Sequence, residues 1–131
     1  MGIERAPVIV VVEDEPDILD VLQITLALHG YVAIGFNHPY QLKTLDTQVD
    51  LFLVDVMLPT MNGIRVAQML RDTGFRDTPM VAMSASDDKV RKAQASGLFN
   101  AAIEKPFDVN HLLDIIAWHL PNVNQPVMSR G

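Results

Sequence analysis

The chain has 131 residues, 49% hydrophobic and 20% charged, with no cysteine and a formal charge of −6 at pH 7. That length suits one domain with a self-sufficient core, and the absence of cysteine excludes disulfides and thiol chemistry. The negative balance disfavours a general nucleic-acid or anionic-membrane surface.

The first element is also the most apolar. "VIVVVEDEP" runs five β-branched residues, Val8 to Val12, into Glu13, Asp14 and Glu15. Such a run reads as a strand buried on both faces. Three like charges at its end are costly without a positive partner, so something positive is expected there. "DILDVLQITLALHG" follows as a helix, with Ile18, Leu19, Leu22 and Leu26 at helical spacing and a stop at Gly30. "YVAIGF" reads as a second strand and "YQLKTLD" as a short helix entered through Pro39. "VDLFLVD" is a third strand, apolar from Leu51 until Asp55. "GIRVAQMLRD" is a helix with Ile64, Val66, Ala67 and Leu70 inward, and "PMVAMSA" is a fourth strand. "DKVRKAQASG" is a mostly polar helix ending at Gly97, and "NAAIEK" is a short fifth strand. "VNHLLDIIAWHL" closes the series as an apolar helix stopped by Pro121.

Five strands alternating with five helices imply a parallel α/β sheet covered on both faces. The closing "PNVNQPVMSRG" has no periodicity and reads as a loose tail or the start of a linker. No apolar run approaches the ~18 residues of a spanning helix, and the opening residues do not read as a signal peptide. The expected compartment is the cytoplasm, with no membrane contact.

In an open α/β sheet, ligands bind beyond the carboxyl ends of the strands. Strand one delivers Glu13 and Asp14 there, strand three Asp55, strand four Ser84, and strand five Lys105 followed by Pro106. Strand two ends in "FNHP" and offers nothing comparable.

On "VVEDEP", "LVDVMLPTMNG", "MSAS" and "EKPF", the chain resembles the receiver domain of two-component response regulators, over roughly residues 7 to 120. One such motif alone is weak; four in the family's order and spacing are strong. The resemblance implies a doubly wound, flavodoxin-like sheet of strand order 2-1-3-4-5. It implies Asp55 as phosphoacceptor, a carboxylate nucleophile that forms an aspartyl-phosphate. Glu13, Asp14, Asp55 and the backbone carbonyl of Met57 match the family's ligands for Mg²⁺, which Mn²⁺ can replace. Lys105 matches the ion-pairing lysine, held by a cis bond to Pro106, and Ser84 the hydroxyl that moves toward the phosphoryl group. "LPTMNG" matches the loop after the acceptor, where Gly63 permits the turn into the next helix. The implied partners are a sensor histidine kinase or histidine phosphotransfer protein and an unidentified output partner or domain, with no direct nucleic-acid binding by this domain.

Bland readings stand beside these. Glu13 and Asp14 would also suit a helix N-terminus, and Asp55 or Ser84 alone would suit a cap or loop; their joint placement at four strand ends favours the site. His29, His38, His111 and His119 read as structural, and Trp118 and the methionines as packing residues. One departure stands out: Ala102 lies three residues before Lys105, where many receivers carry Tyr or Phe, which removes the usual rotating ring. A pseudo-receiver serving as a constitutive docking module is the alternative that Ala102 favours. A haloacid-dehalogenase-type phosphatase would need a second Asp where Met57 stands. Self-promoted phosphorylation and dephosphorylation is expected, not dedicated enzymatic turnover.

Overall fold

A computed structural model describes residues 5–59 and 61–120 of the chain. The expected tail over 121–131 lies outside the described residues. The elements are β1 (Val8–Val12), α1 (Pro16–Leu28), β2 (Val32–Phe36), a 3-10 helix (Pro39–Thr44), β3 (Leu51–Asp55), α2 (Gly63–Asp72), β4 (Met80–Ser84), α3 (Asp87–Ser96), β5 (Ala101–Glu104) and α4 (Val109–His119). The strands form one sheet in the order β2-β1-β3-β4-β5, every pair parallel. Both the α/β class and the 2-1-3-4-5 order are those expected.

Alternation along the strands divides the core in two. Ile9, Val11, Leu51, Leu53, Val81, Met83 and Ile103 face α1 and α4, where Leu19, Leu22, Leu26, Leu112 and Ile116 meet them. Val10, Val12, Phe52, Val54 and Met80 face the opposite way, against Val66, Ala67 and Leu70 of α2. The central strands are therefore apolar on both faces up to the residues at their carboxyl ends, Asp55 of β3 and Ser84 of β4, as a sheet covered on both sides requires. Ile18 and Ile64, read as inward, are only partly buried and sit at the margins of their clusters.

The second helix of the series is a single 3-10 segment. His38 caps it by accepting the Tyr40 amide at 3.1 Å, while Gln41 reaches back to the His38 amide. Only Pro39 and Leu42 of its residues are buried, so packing gives it little reason to lengthen into an α-helix. The third α-helix is held differently again. Ala93 is its one buried residue, and Gly97 ends it at φ 76°.

At the amino end of the sheet, polar groups are satisfied by other protein groups. Asp50 accepts both guanidinium nitrogens of Arg5 at 2.6 and 2.7 Å and the Val8 amide at 2.7 Å. Arg71 donates to the carbonyls of Phe75, Arg76, Thr78 and Leu98 and to Asn100 Oδ1. That one side chain ties the end of α2 to the loops that feed β4 and β5. Among the described residues, no helix is long and apolar enough to cross a membrane.

Candidate functional site

The opposite end of the sheet gathers the residues singled out by sequence. Beyond Val12, which pairs with Val54, the chain runs straight on, and the Glu13 amide donates to the Phe36 carbonyl at 3.0 Å. This extension puts Glu13 beside Asp55, the last residue of β3. On the far side, the Lys105 amide donates to the Ser84 carbonyl at 2.8 Å, prolonging the β4–β5 pairing by one residue. The Lys105–Pro106 bond is cis. From that backbone position Lys105 Nζ reaches inward to Glu13 Oε1 at 2.6 Å and Asp55 Oδ2 at 2.9 Å.

The remaining carboxylate oxygens of that pair also have donors. Glu13 Oε2 accepts the Glu15 amide at 3.1 Å, and Asp55 Oδ1 accepts the Met57 amide at 2.8 Å. Asp14 is half-buried and, among the described residues, receives no protein donor. Glu13, Asp14 and Asp55 each offer an oxygen, and these lie within 4.8 Å of one another. Three carboxylates thus cluster where one ammonium pairs with two of them, Glu13 and Asp55.

The imbalance appears in the proton affinities. Burial pushes the Glu13 carboxyl up to about 7, against the pull of Lys105 and of the Glu15 amide. Burial by itself would lower Lys105, but its hydrogen bonds to Glu13 and Asp55 outweigh that and leave it raised. We read Lys105 as charged, because two carboxylate oxygens lie within 3 Å of its ammonium. The rise at Glu13 is therefore mainly the cost of burying its charge, to which the neighbouring Asp55 carboxylate adds a smaller push in the same direction. A hard divalent cation is the chemical complement of such an oxygen set, and the donors present fit Mg²⁺.

Ser84, fully buried at the end of β4, accepts the Ser86 amide through Oγ at 3.1 Å. Its own proton remains available to a new acceptor. Ser86 in turn caps α3 by accepting the Lys89 amide. The sequence reading missed Ser86, although the Ser-x-Ser spacing after an apolar strand was visible. Gly63 has a stronger reason than turn-making. A Cβ there would stand 2.5 Å from the Asp55 carbonyl oxygen, so α2 starts against the backbone of the central aspartate. Ala102 is half-buried, within a small cluster around Val56, Ala82 and Ala93.

Two depressions flank these residues. A groove of about 540 Å³ runs between α1 and α4, lined by Ile18, Val21, Leu22, Phe107 and Leu112, with Lys105 also in its lining. A second, of about 470 Å³, is lined by Met57, Leu58, Met61, Asn62 and Lys89.

Comparison with known proteins agrees with this geometry. The family model described as the response regulator receiver domain matches residues 9–117. The transcriptional regulatory protein DltR of Streptococcus agalactiae is 34% identical over 108 residues, covering 80% of this chain and 48% of that protein. The response regulator ArlR of Staphylococcus saprophyticus is 34% identical over 110 residues, covering 80% and 48%. The chain therefore spans about half the length of these relatives. Among solved structures, the signal receiver domain of a Pseudomonas fluorescens HD domain-containing protein superposes with a TM-score of 0.82 at 24% identity, covering 92% of this chain and 90% of that one. A Thermotoga maritima response regulator in complex with Mg²⁺ and BeF gives 0.78 at 23%, covering 87% and 99%. These likenesses establish the same sheet and helix arrangement.

Proposed function

The chain belongs to the response regulator receiver family, and on that premise we propose that it is a phosphorylation-driven switch with Asp55 as the phosphoacceptor. The observation that supports this most is Lys105 lying between Glu13 and Asp55, with an oxygen of a third carboxylate, Asp14, within 4.8 Å of theirs. Glu13, Asp14, Asp55 and the Met57 carbonyl are the proposed holders of Mg²⁺, with Mn²⁺ as substitute. When bound, the cation neutralises charge on the incoming phosphoryl oxygens.

The chain's own residues supply the rest. Asp55 uses a carboxylate oxygen to attack phosphorus; the new O–P bond forms as the bond to the donor breaks, and the leaving group departs with its electron pair. The Met57 amide and the Lys105 ammonium each donate to a different Asp55 oxygen, which fixes the orientation of the carboxylate. As Asp55 loses its charge, Lys105 keeps Glu13 as a partner and turns its remaining donors to a phosphoryl oxygen. Ser84 then finds an acceptor for its hydroxyl proton that was not there before. Because the same Oγ anchors the Ser86 amide, and Ser86 caps α3, the shift is passed to the start of that helix.

The working unit proposed is residues 7–120, in the cytoplasm, with a histidine kinase or histidine phosphotransfer protein as donor. Charge indicates where such a donor sits. Glu15, Asp17, Asp20, Asp108 and Asp114 are exposed around α1 and α4, and neither helix carries Lys or Arg. The groove between them is mostly apolar and includes Lys105 in its lining. A donor helix with one apolar face and basic flanks fits it. The output partner remains a separate matter, and no direct contact with nucleic acid is proposed for this domain. Ala102 is the one observation favouring a second reading, a docking module that no longer switches.

The test is intact-mass measurement with Mg²⁺ and acetyl phosphate. The expected result is one added phosphoryl group on wild type, mapped to Asp55, and none on Asp55→Asn. Equal labelling of the two proteins overturns the assignment.

A further inference from the structure

The depression on the α2 side of the site holds a reactive group that phosphoryl transfer does not use. Met57 is 50% exposed, whereas Met80 and Met83 are fully buried and Met61 and Met69 are partly buried. Thioether oxidation follows access. Its backbone is also fixed to the central carboxylate, since the Met57 amide donates to Asp55 Oδ1 at 2.8 Å. Its side chain lines the same depression as Leu58, Pro59, Met61 and the half-buried Lys89. Among the described residues Lys89 makes no ion pair, while its neighbour Lys92 pairs with Asp88 at 3.3 Å. This apolar lip, tied to Asp55 through the Met57 amide, thus shares its depression with a cation whose charge is unused.

We propose that Met57 is a modification site, oxidised by hydrogen peroxide to the sulfoxide, and that this oxidation shortens the lifetime of the phosphorylated state. The inference rests on Asp55 being the phosphoacceptor. A sulfur lone pair attacks one peroxide oxygen, an S–O bond forms and the O–O bond breaks. The departing hydroxide takes the remaining proton and leaves as water. Sulfur is oxidised by two electrons and the peroxide is reduced by two. The flexible apolar side chain becomes polar, with a strong acceptor oxygen. Lys89 is the cation in that depression able to donate to it, which draws the lip away from Asp55 toward α3. Water then reaches an acyl phosphate that the thioether had shielded.

The experiment treats wild type, Met57→Leu and Lys89→Gln with hydrogen peroxide and maps oxidation by peptide mass. Each protein is then labelled with acetyl phosphate and Mg²⁺, and loss of the Asp55 phosphoryl group is followed. Among the methionines of the described residues, Met57 is expected to oxidise first, at least about 5-fold faster than Met80 or Met83. Dephosphorylation of the oxidised wild type is expected to be about 3-fold faster than before treatment, and methionine sulfoxide reductase should restore the slower rate. Met57→Leu should be indifferent to peroxide, and Lys89→Gln should show a smaller acceleration. Oxidation of Met61, Met69, Met80 or Met83 ahead of Met57, an unchanged lifetime at full Met57 oxidation, or equal acceleration in Met57→Leu each overturns the proposal. No label on Asp55 in untreated wild type overturns the phosphoacceptor reading and the lifetime switch with it, while the order of oxidation still tests Met57 separately.

Discussion

The two ends of the sheet solve the same problem in opposite ways. At the amino end, buried charge is matched by the protein itself: Asp50 meets Arg5 and an amide, and Arg71 is surrounded by carbonyls. At the carboxyl end, Glu13, Asp14 and Asp55 cluster together, and a single ammonium pairs with Glu13 and Asp55 alone. A fold that needed only stability would neutralise both ends alike, because unpaired buried charge is expensive. The difference separates polar groups that hold the chain together from polar groups kept ready for a ligand. It also sets opposite pH dependences. Arg5 holds the Asp50 carboxyl below its ordinary range, so its stabilisation is present above about pH 4 and lost as pH falls further. Glu13 is raised from 4.5 to about 7. The folded state therefore binds the extra proton in that window, and stability falls as pH climbs through it.

The largest effect expected is at Asp14. Asp14→Ala should remove Mg²⁺ binding measured by calorimetry and reduce acetyl phosphate labelling by about 100-fold or more, with the unfolding midpoint little changed. A variant that binds Mg²⁺ as wild type does would erase the distinction between the two ends. The reverse pattern is expected at the amino end. Asp50→Ala leaves Arg5 and the Val8 amide without their acceptor and should cost about 2 kcal/mol in urea unfolding, while Asp55 still labels. Arg71→Met should cost a similar amount, about 2 kcal/mol, through carbonyls left unmatched, again with labelling preserved. Loss of labelling in a folded Asp50 or Arg71 variant would show that the ends are coupled. The smallest effect concerns Ser84. With beryllofluoride as phosphoryl mimic, amide exchange should slow in residues 84 to 92 of wild type and change little in Ser84→Ala. Equal changes in both would show that the hydroxyl is not the trigger.

The contrast also explains what was readable from sequence. The sheet was legible because each strand is a short β-branched or apolar run ended by a charge or turn, and the helices between them keep a 3.6-residue period. The carboxyl-end residues were legible because each sits directly after its strand, where backbone register alone brings Asp55 and Glu13 together. The amino end was not. Asp50 and Arg5 are 45 positions apart, and the partners of Arg71 are mostly backbone carbonyls, which have no residue signature. The 3-10 geometry of Pro39–Thr44 was hidden for a related reason, since its cap is a histidine ring rather than a usual capping residue. The crowding of Gly63 against the Asp55 carbonyl depends on how α2 approaches β3, which no local pattern encodes.

The central claim, that the carboxyl end has surplus negative charge awaiting a cation, is tested most directly by stability against pH. Urea unfolding of wild type and Glu13→Gln is measured from pH 5 to 8, in chelator and in saturating Mg²⁺. In chelator, wild type should lose up to about 3 kcal/mol relative to Glu13→Gln as pH rises, and Mg²⁺ should remove most of that difference. A wild-type profile parallel to that of Glu13→Gln in chelator, or a loss that Mg²⁺ leaves untouched, would contradict it.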